Sequence, residues 1–476
     1  MKNPNDYLQI MKFGGTSVGD AACMRRTAEI IANSARRGPV VVVTSAMSGV
    51  TNRLLAAAQA AVAGDESAGA ALAEVLREGH FRVSAELMAD AARRAEIEAE
   101  LGRIITNIAN LCRGTALLRE LTPRVADAIA GAGERLSVRL LAGALQEMGV
   151  AGVAVEATDC IVTDARHGGA EPLPGPTRTK ATAHLRPLLE NGQVPIVTGF
   201  IGASAAGVRT TLGRGGSDYS ATILGQALDA TEVIIWTDVD GVMTCDPRLV
   251  PAARIMREIS YKEAGELAYF GAKVLHPKTL RPVVEAQIPV WIRNSFRPEE
   301  AGTKITQTGH PSAYGVKALT AMANVSLITI GGPGIVGAIG VAAKTFTAAA
   351  QVRANVLFIS QASSENDICF IVEAADAEKT VAALRETFAN DLARHEVEHI
   401  QVNSDIAIVA AVGEKMHGMA GVAGRVFSAL GHAGINIIAI AQGSSEYNVS
   451  LVVEKEAMQK AVAVLHDEFA LGQPAS

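Results

Sequence analysis

The sequence predicts an α/β protein, a mainly parallel sheet covered by helices, followed by a smaller α+β unit present twice. Three observations predict it. Short apolar runs alternate with helical patterns from residue 7 to residue 295, as strands and crossover helices do in a parallel sheet. A polar stretch carrying Pro298, Gly302, Gly309 and Pro311 then reads as a linker, residues 296–319. Last, Val325–Val372 aligns without gaps on Ile406–Val453, 81 residues later, with 14 of 48 positions identical. That is too many for accident and marks an internal repeat.

In chain order, the predicted strands are Leu8–Lys12, Val40–Ser45, Val153–Glu156, Val194–Thr198, Val233–Trp236 and Pro289–Arg293. Helical periodicity falls on Ala21–Arg36, Leu136–Met148, Ser217–Ala227 and Tyr261–Phe270. Residues 50–131 hold no convincing strand and read as a helical insert. Each repeat copy, 320–400 and 401–470, runs strand, glycine turn, helix, strand, turn, strand. A unit that short cannot bury its sheet alone, so the copies should pack on each other or on another subunit.

Composition narrows the function. Hydrophobic residues make up 49% of the 476, which excludes disorder. A net charge of −6 without a long basic run argues against nucleic-acid binding. Cys23, Cys112, Cys160, Cys245 and Cys369 lie far apart, with no metal or redox spacing, so reduced thiols and a cytoplasmic protein are expected. The first residues lack the apolar stretch of a signal peptide. Ala318–Ala343 is uncharged and long enough to span a bilayer. Gly331-Gly332-Pro333-Gly334 interrupts it, so a strand, a turn and a helix explain it better, and no membrane partner is expected.

Two glycine turns carry the chemistry. Lys12-Phe13-Gly14-Gly15-Thr16-Ser17 and Leu212-Gly213-Arg214-Gly215-Gly216-Ser217-Asp218 each follow an apolar run that reads as a buried strand and open a segment that reads as a helix. Backbone N–H groups and a helix N-terminus there cradle phosphate. The Walker spacing and the protein-kinase signatures are absent. A tight turn with a snorkelling lysine is the plainer reading of the first. In the second, Ser217 as a cap and Asp218 as a dipole partner are the plainer readings. Asp238, after the strand ending at Trp236, is placed to accept from a ribose or an adenine amine, or belongs to an Asp/Gly turn cluster. Lys273 precedes His276-Pro277 and is a candidate to neutralise phosphate.

Taken together, Lys12–Val18, Val43–Asn52, Gly133–Ser137, Thr198–Gly202, Thr211–Asp218, Trp236–Arg248 and Phe270–Pro277 resemble, in order, the aspartate kinases of the amino acid kinase superfamily. The repeat resembles their paired ACT domains, so ACT-like βαββαβ regions are expected after an amino acid kinase-like domain. The copies with Gln-x-Ser-Ser-Glu are most similar to the threonine-sensitive type. The resemblance implies the reaction of Mg-ATP with L-aspartate to give 4-phospho-L-aspartate and ADP, with ATP and Mg²⁺ as cofactors. It implies catalytic roles for Lys12 and Asp218. Ser45, Thr51, Glu134, Phe200, Arg214, Gly215 and Ser217 would hold aspartate. Glu134 suits its ammonium and Arg214 its α-carboxylate. Lys12, Gly14, Gly15, Ser17, Thr237, Asp238, Met243, Arg248 and Lys273 would serve ATP. Many family members carry Tyr at the position of Met243, and methionine packs on a purine without the phenol hydrogen bond. No dedicated protein metal cage is expected, because Mg²⁺ binds mainly through phosphates and water.

The resemblance also implies an amino-acid effector at the repeat, threonine first and lysine second. Asn355, Gln361, Asn436 and Gln442, at equivalent places in the copies, are its candidate contacts; satisfying strand-end backbone is the plainer reading. A homo-oligomer, dimer or tetramer, is expected through the ACT regions. Two alternatives stay open at this point: a related amino acid kinase with another carboxylate substrate, and an amino-acid-binding regulatory protein with an inactive kinase domain.

Overall fold

The computed structural model describes residues 7–272, 275–310, 312, 314–335, 338–361, 367–414, 416, 419–442 and 447–473. They form two compact units. One takes Met1–Val242, Ile255–Gly265 and Val274–Gly309; the other takes Met243–Arg254, Glu266–Lys273 and His310–Ser476.

The first unit begins β1 (Gln9–Phe13), α1 (Ala21–Ala35), β2 (Val40–Thr44). The predicted insert follows as α2 (Val50–Val62), α3 (Ala68–Leu87), α4 (Ala91–Leu118) and α5 (Pro123–Ala130). Then come α6 (Ala132–Glu147), β3 (Gly152–Val155), β4 (Val162–Thr163), α7 (Pro174–Glu190), β5 (Val194–Thr198), β6 (Ile201–Ser204) and β7 (Arg209–Thr211). The chain continues through α8 (Gly216–Leu228), β8 (Glu232–Thr237), β9 (Glu258–Ser260), α9 (Tyr261–Tyr269), α10 (Pro277–Ala286), β10 (Val290–Asn294) and β11 (Thr303–Thr306).

The main sheet has the order β3-β5-β2-β1-β8-β10-β11-β9. Every pairing in it is parallel except β10 with β11. β2 is a continuous apolar run, Val40-Val41-Val42-Val43-Thr44, buried throughout, as a strand covered on both faces requires. Helices start where local chemistry allows. Asp20 accepts from Cys23 N at 2.7 Å to cap α1, and Thr122 with Pro123 opens α5.

Two differences from the sequence reading have local causes. α6 begins at Ala132, four residues ahead of Leu136, because Gly133 and Glu134 in its first turn carry no apolar period. The stretch read as linker contains β11, antiparallel to β10. Only Thr303 and Ile305 turn inward from it, too short a pattern to register as a strand.

The second unit is built from β12 (Ala318–Gly331), α11 (Val341–Gln351), β13 (Val356–Gln361), β14 (Asp367–Glu373), α12 (Ala374–Thr387), α13 (Ala389–Ala393), β15 (His399–Val412), α14 (Val422–His432), β16 (Ala439–Ala441), β17 (Asn448–Glu454) and α15 (Met458–Glu468). The uncharged stretch from Ala318 is therefore a strand, a turn and the start of a helix. No helix among the described residues is long and apolar enough to cross a membrane. The two copies share one antiparallel sheet, β13-β14-β12-β15-β17-β16. Val325 pairs with Ile406, its own counterpart 81 positions on, so a local two-fold axis passes between the long strands. Each copy covers one sheet face with its helices. Ile328, Phe370 and Leu384 share one core, and Val409, Leu451 and Leu465 share the other.

Residues 243–254 and 266–272 pack into this unit. Leu319 N donates to Thr244 O at 2.7 Å, and Thr320 Oγ1 donates to Phe270 O at 3.0 Å. Thr244 Oγ1 meets His466 Nε2 of α15 at 3.1 Å in a buried contact.

Candidate functional site

Parallel strands end together, and ligands of such sheets bind beyond those carboxyl ends. Here the ends of β1, β2, β5 and β8 and the N-termini of α2, α6 and α8 surround a cleft of about 790 Å³.

On the β1 side, Gly14 N donates to Trp236 O at 3.2 Å and Ser17 N donates to Gly14 O at 3.0 Å. This turns the chain tightly, so that Gly14, Gly15 and Thr16 line the cleft. A Cβ on Gly14 would stand 3.4 Å from Lys12 Nζ, and one on Gly15 would stand 3.0 Å from Ala46 O. The missing side chains leave room for a ligand against backbone. Lys12, 8% exposed, points its ammonium at Asp218 of α8, with Nζ 2.6 Å from Oδ1.

On the α8 side, Gly213 and Gly215 hold φ of 78° and 69°, which glycine adopts without strain. Phe200 also has a positive φ, 69°, fixed by Ser220 Oγ accepting from its N–H at 3.0 Å and by Leu212 N donating to its carbonyl at 2.8 Å. Such an outlier in a non-glycine residue persists where surroundings over-determine it, often at binding sites. Arg214 is exposed on the rim. Burial holds His276 below its ordinary range, and the charges of Arg214 and Lys278 add to this. Neutral His276 caps α10, its Nδ1 accepting from Lys278 N at 3.3 Å.

Glu134 is the most perturbed group of the cleft. It stands in the first turn of α6 and is 4% exposed. Burial pushes its carboxyl up to about 7, and backbone N–H groups of Glu134 and Ala46 offset this only in part. Its Oε2 has no hydrogen-bond partner. A buried acceptor left open in a cleft is completed by a donor from a ligand, and a cation does so best.

Family models match this architecture. The amino acid kinase family matches residues 8–294, and the ACT domain matches residues 328–388 and 409–469. Aspartokinase 1, chloroplastic, of Arabidopsis thaliana is 33% identical across 97% of this chain and 80% of that protein. The chain belongs to the aspartokinase family. Bifunctional aspartokinase/homoserine dehydrogenase 2, chloroplastic, of Arabidopsis thaliana is 37% identical over 98% of the chain and 51% of its own length. The chain thus spans about half the length of several curated aspartokinase relatives it matches. E. coli aspartokinase III in complex with aspartate and ADP, an R-state structure, superposes with a TM-score of 0.79 at 33% identity, covering 97% of this chain and 99% of that one. The T-state structure of the same enzyme, with lysine and aspartate, gives 0.80 at 32%, with the same coverage.

Among the residues that the aspartokinase resemblance singles out, Lys12, Gly14, Gly15, Ser45, Thr51, Glu134, Phe200, Arg214, Gly215, Ser217, Asp218, Thr237 and Asp238 all line the cleft. Ser17 does not. It is 1% exposed, its Oγ lies 2.8 Å from Ser295 Oγ, and its carbonyl accepts from Thr27 Oγ1 at 2.7 Å. It braces the turn from behind. Met243 and Arg248 belong to the second unit, where Asp246 holds the Arg248 guanidinium in a fork, Nη2 to Oδ2 at 2.6 Å. Lys273 lies outside the described residues. Asn355 and Asn436 are exposed ahead of β13 and β16, and Gln361 and Gln442 are exposed at the far ends of those strands. Thr16, Ser48 and Asn52 line the cleft without having been expected. Their signal was available: each flanks a glycine turn or opens a helix.

Proposed function

We propose that this chain is an aspartate kinase, transferring the γ-phosphoryl group of ATP to the β-carboxylate of L-aspartate and yielding 4-phospho-L-aspartate and ADP. The observation that carries it is Glu134, a buried carboxylate with an open oxygen, on the same cleft wall system as exposed Arg214. One negative and one positive recognition group suit a ligand with an ammonium and a carboxylate. The aspartate and ADP bound to E. coli aspartokinase III support the same choice.

The residues fit polyphosphate. The side-chain-free turn at Gly14 and Gly15 lies beside the Lys12 ammonium, and α8 points its N-terminus into the same space. Mg²⁺ would be held chiefly by the phosphates and water, with Asp218 nearby, and would supply charge neutralisation there. The attacking β-carboxylate has an ordinary pKa of about 3.9 and is already ionised near neutrality, so no general base is required. The barrier is the approach of two anions. Lys12 offsets that repulsion at the phosphoryl group, and Asp218 holds the Lys12 ammonium in place. Glu134 and Arg214 orient the substrate, with Ser45, Thr51, Phe200, Gly215 and Ser217 around it. Thr237 and Asp238 serve the nucleotide; for Met243, Arg248 and Lys273 that role rests on the family resemblance alone.

The ACT repeat is proposed to sense an end-product amino acid, threonine first and lysine second, through Asn355, Gln361, Asn436 and Gln442. The lysine held by T-state E. coli aspartokinase III supports an effector of this class. We assign the chain to the supply of lysine, threonine and methionine, as a homo-oligomer, in the cytoplasm; its five free cysteines suit a reducing compartment. The test is ADP release from Mg-ATP with L-aspartate, with L-glutamate, and then with added threonine or lysine. Turnover with aspartate alone, suppressed by one effector, is expected. Equal turnover with glutamate refutes the substrate, and no turnover refutes the kinase.

A further inference from the structure

We propose that Asp127 is a positioning residue that sets the spacing between Glu134 and Arg214; the inference rests on those two gripping the substrate. Asp127 lies in α5, is 3% exposed and does not line the cleft. Its carboxylate is nonetheless saturated with donors from two other parts of the chain. His167 Nδ1 donates to Oδ2 at 2.6 Å, and Gly168 N donates at 3.1 Å to Oδ1. Thr211 Oγ1 donates to Oδ1 at 2.5 Å.

Both its backbone carbonyl and its carboxylate lead to the cleft. Gly131 N donates to Asp127 O at 3.0 Å, and Gly131 is the N-cap of α6, which carries Glu134 in its first turn. Thr211 ends β7, three residues before Arg214. Its carbonyl accepts from Ala170 N at 2.8 Å, which ties the His167–Ala170 loop to the same strand. That loop backs the glycine turn: a Cβ on Gly213 would stand 3.3 Å from Gly168 O and 3.4 Å from Gly169 Cα. Asp127 therefore joins the two sides of the grip: its backbone carbonyl meets the start of the helix carrying the ammonium partner, and its carboxylate holds the strand and loop that back the turn carrying the carboxylate partner.

Stability alone does not call for this arrangement. A buried polar group surrounded by donors is commonly no better than well-packed apolar side chains, and its distinctive yield is a fixed geometry. An α-amino acid has a fixed distance between ammonium and carboxylate. A site that recognises both ends needs its two partners held at a matching distance.

The test uses the full chain with Asp127→Asn, Thr211→Val and Thr211→Ser. Asparagine presents an amide donor where one of these donors now points. Valine removes the hydroxyl, and serine keeps it. For Asp127→Asn and Thr211→Val, the KM for aspartate should rise about tenfold, while the KM for ATP stays within about twofold. Thr211→Ser should restore the aspartate KM. A purely structural role would lower the melting temperature and the active fraction, leaving both KM values as they were. Folded Asp127→Asn with an unchanged aspartate KM overturns the proposal, as does Thr211→Ser failing like Thr211→Val. If Asp127→Asn does not fold, the two Thr211 variants decide. Calorimetric titration with L-aspartate separates the underlying readings. Wild-type chain that binds aspartate without turning it over fails as a kinase only, and the same variants are then compared by Kd. No aspartate binding to the wild-type chain overturns both.

Discussion

Raising the pKa of Glu134 to about 7 makes aspartate binding a proton-linked event. Without ligand the carboxyl is largely protonated below that pH. The substrate ammonium needs the ionised form, so binding at pH 6 must expel a proton. Affinity for L-aspartate should therefore fall as pH falls below about 7, approaching tenfold per pH unit. Neither the substrate's own carboxylates nor its ammonium titrates between pH 5.5 and 8 in a way that mimics this, since the reference carboxyl values lie near 4. Stability carries the opposite face of the same linkage. An acid whose pKa is raised on folding, here from 4.5, destabilises the fold when forced to ionise. The penalty is absent below the unfolded value, grows from about pH 4.5 to about pH 7, and then stays constant, at about 3 kcal/mol. Glu134→Gln removes it. The assay is calorimetric titration of aspartate at pH 5.5, 6.5 and 7.5 in buffers of different ionisation enthalpy, with scanning calorimetry of the unliganded chain. Glu134→Gln should bind aspartate weakly with no pH slope, and should melt on the order of 5 °C higher than wild type at pH 8 but not at pH 4.5. A wild-type affinity that is flat across this range, with no proton released, would refute the argument.

Four other predictions follow from the same geometry. Lys12→Ala should cut kcat by about a hundredfold or more, and near-normal turnover would remove its role at the phosphoryl group. Arg214→Ala should raise the aspartate KM at least about tenfold while sparing the ATP KM; equal effects on both would count against carboxylate recognition. In Gly199→Ala the new Cβ would stand 2.7 Å from Ser217 Cβ and 3.0 Å from Thr44 O, so denaturant unfolding should show a loss of about 1–3 kcal/mol. Alanine at Gln361 or Gln442 should weaken inhibition by threonine or lysine without changing uninhibited turnover, and unchanged inhibition in both would move the effector elsewhere.

Much of this was legible in the sequence because it is local. Lys12 and Asp218 each sit beside a glycine turn between a strand and a helix; β1 belongs to the main sheet and β7 to a separate three-stranded sheet, β4-β6-β7, and the Lys12–Asp218 ion pair joins the two turns. The repeat announced itself by identity at a fixed offset, and Val325 facing Ile406 is its physical form. What stayed hidden depends on distant contacts. Ser17 looked like a phosphate ligand because a hydroxyl follows the turn, but Ser295 claims it from 278 residues away. Asp127 carried no signal, since its partners His167 and Thr211 lie 40 and 84 residues along the chain. β11 was missed because two inward side chains make too short a pattern.

The second unit also has a consequence for modularity. It draws residues 243–254 and 266–273 from inside the stretch that matches the amino acid kinase family, residues 8–294. Cys245 and Val250 lie in the core of the second repeat copy, and Phe270 lies in the core on the other face of its sheet. The ACT repeat is therefore not a cassette that ends at one cut point. Shuffling it between relatives at residue 310 would leave these apolar side chains against a foreign surface, and removing it would bare them to water. Exchange of the whole unit between relatives would have to carry the two outlying segments along.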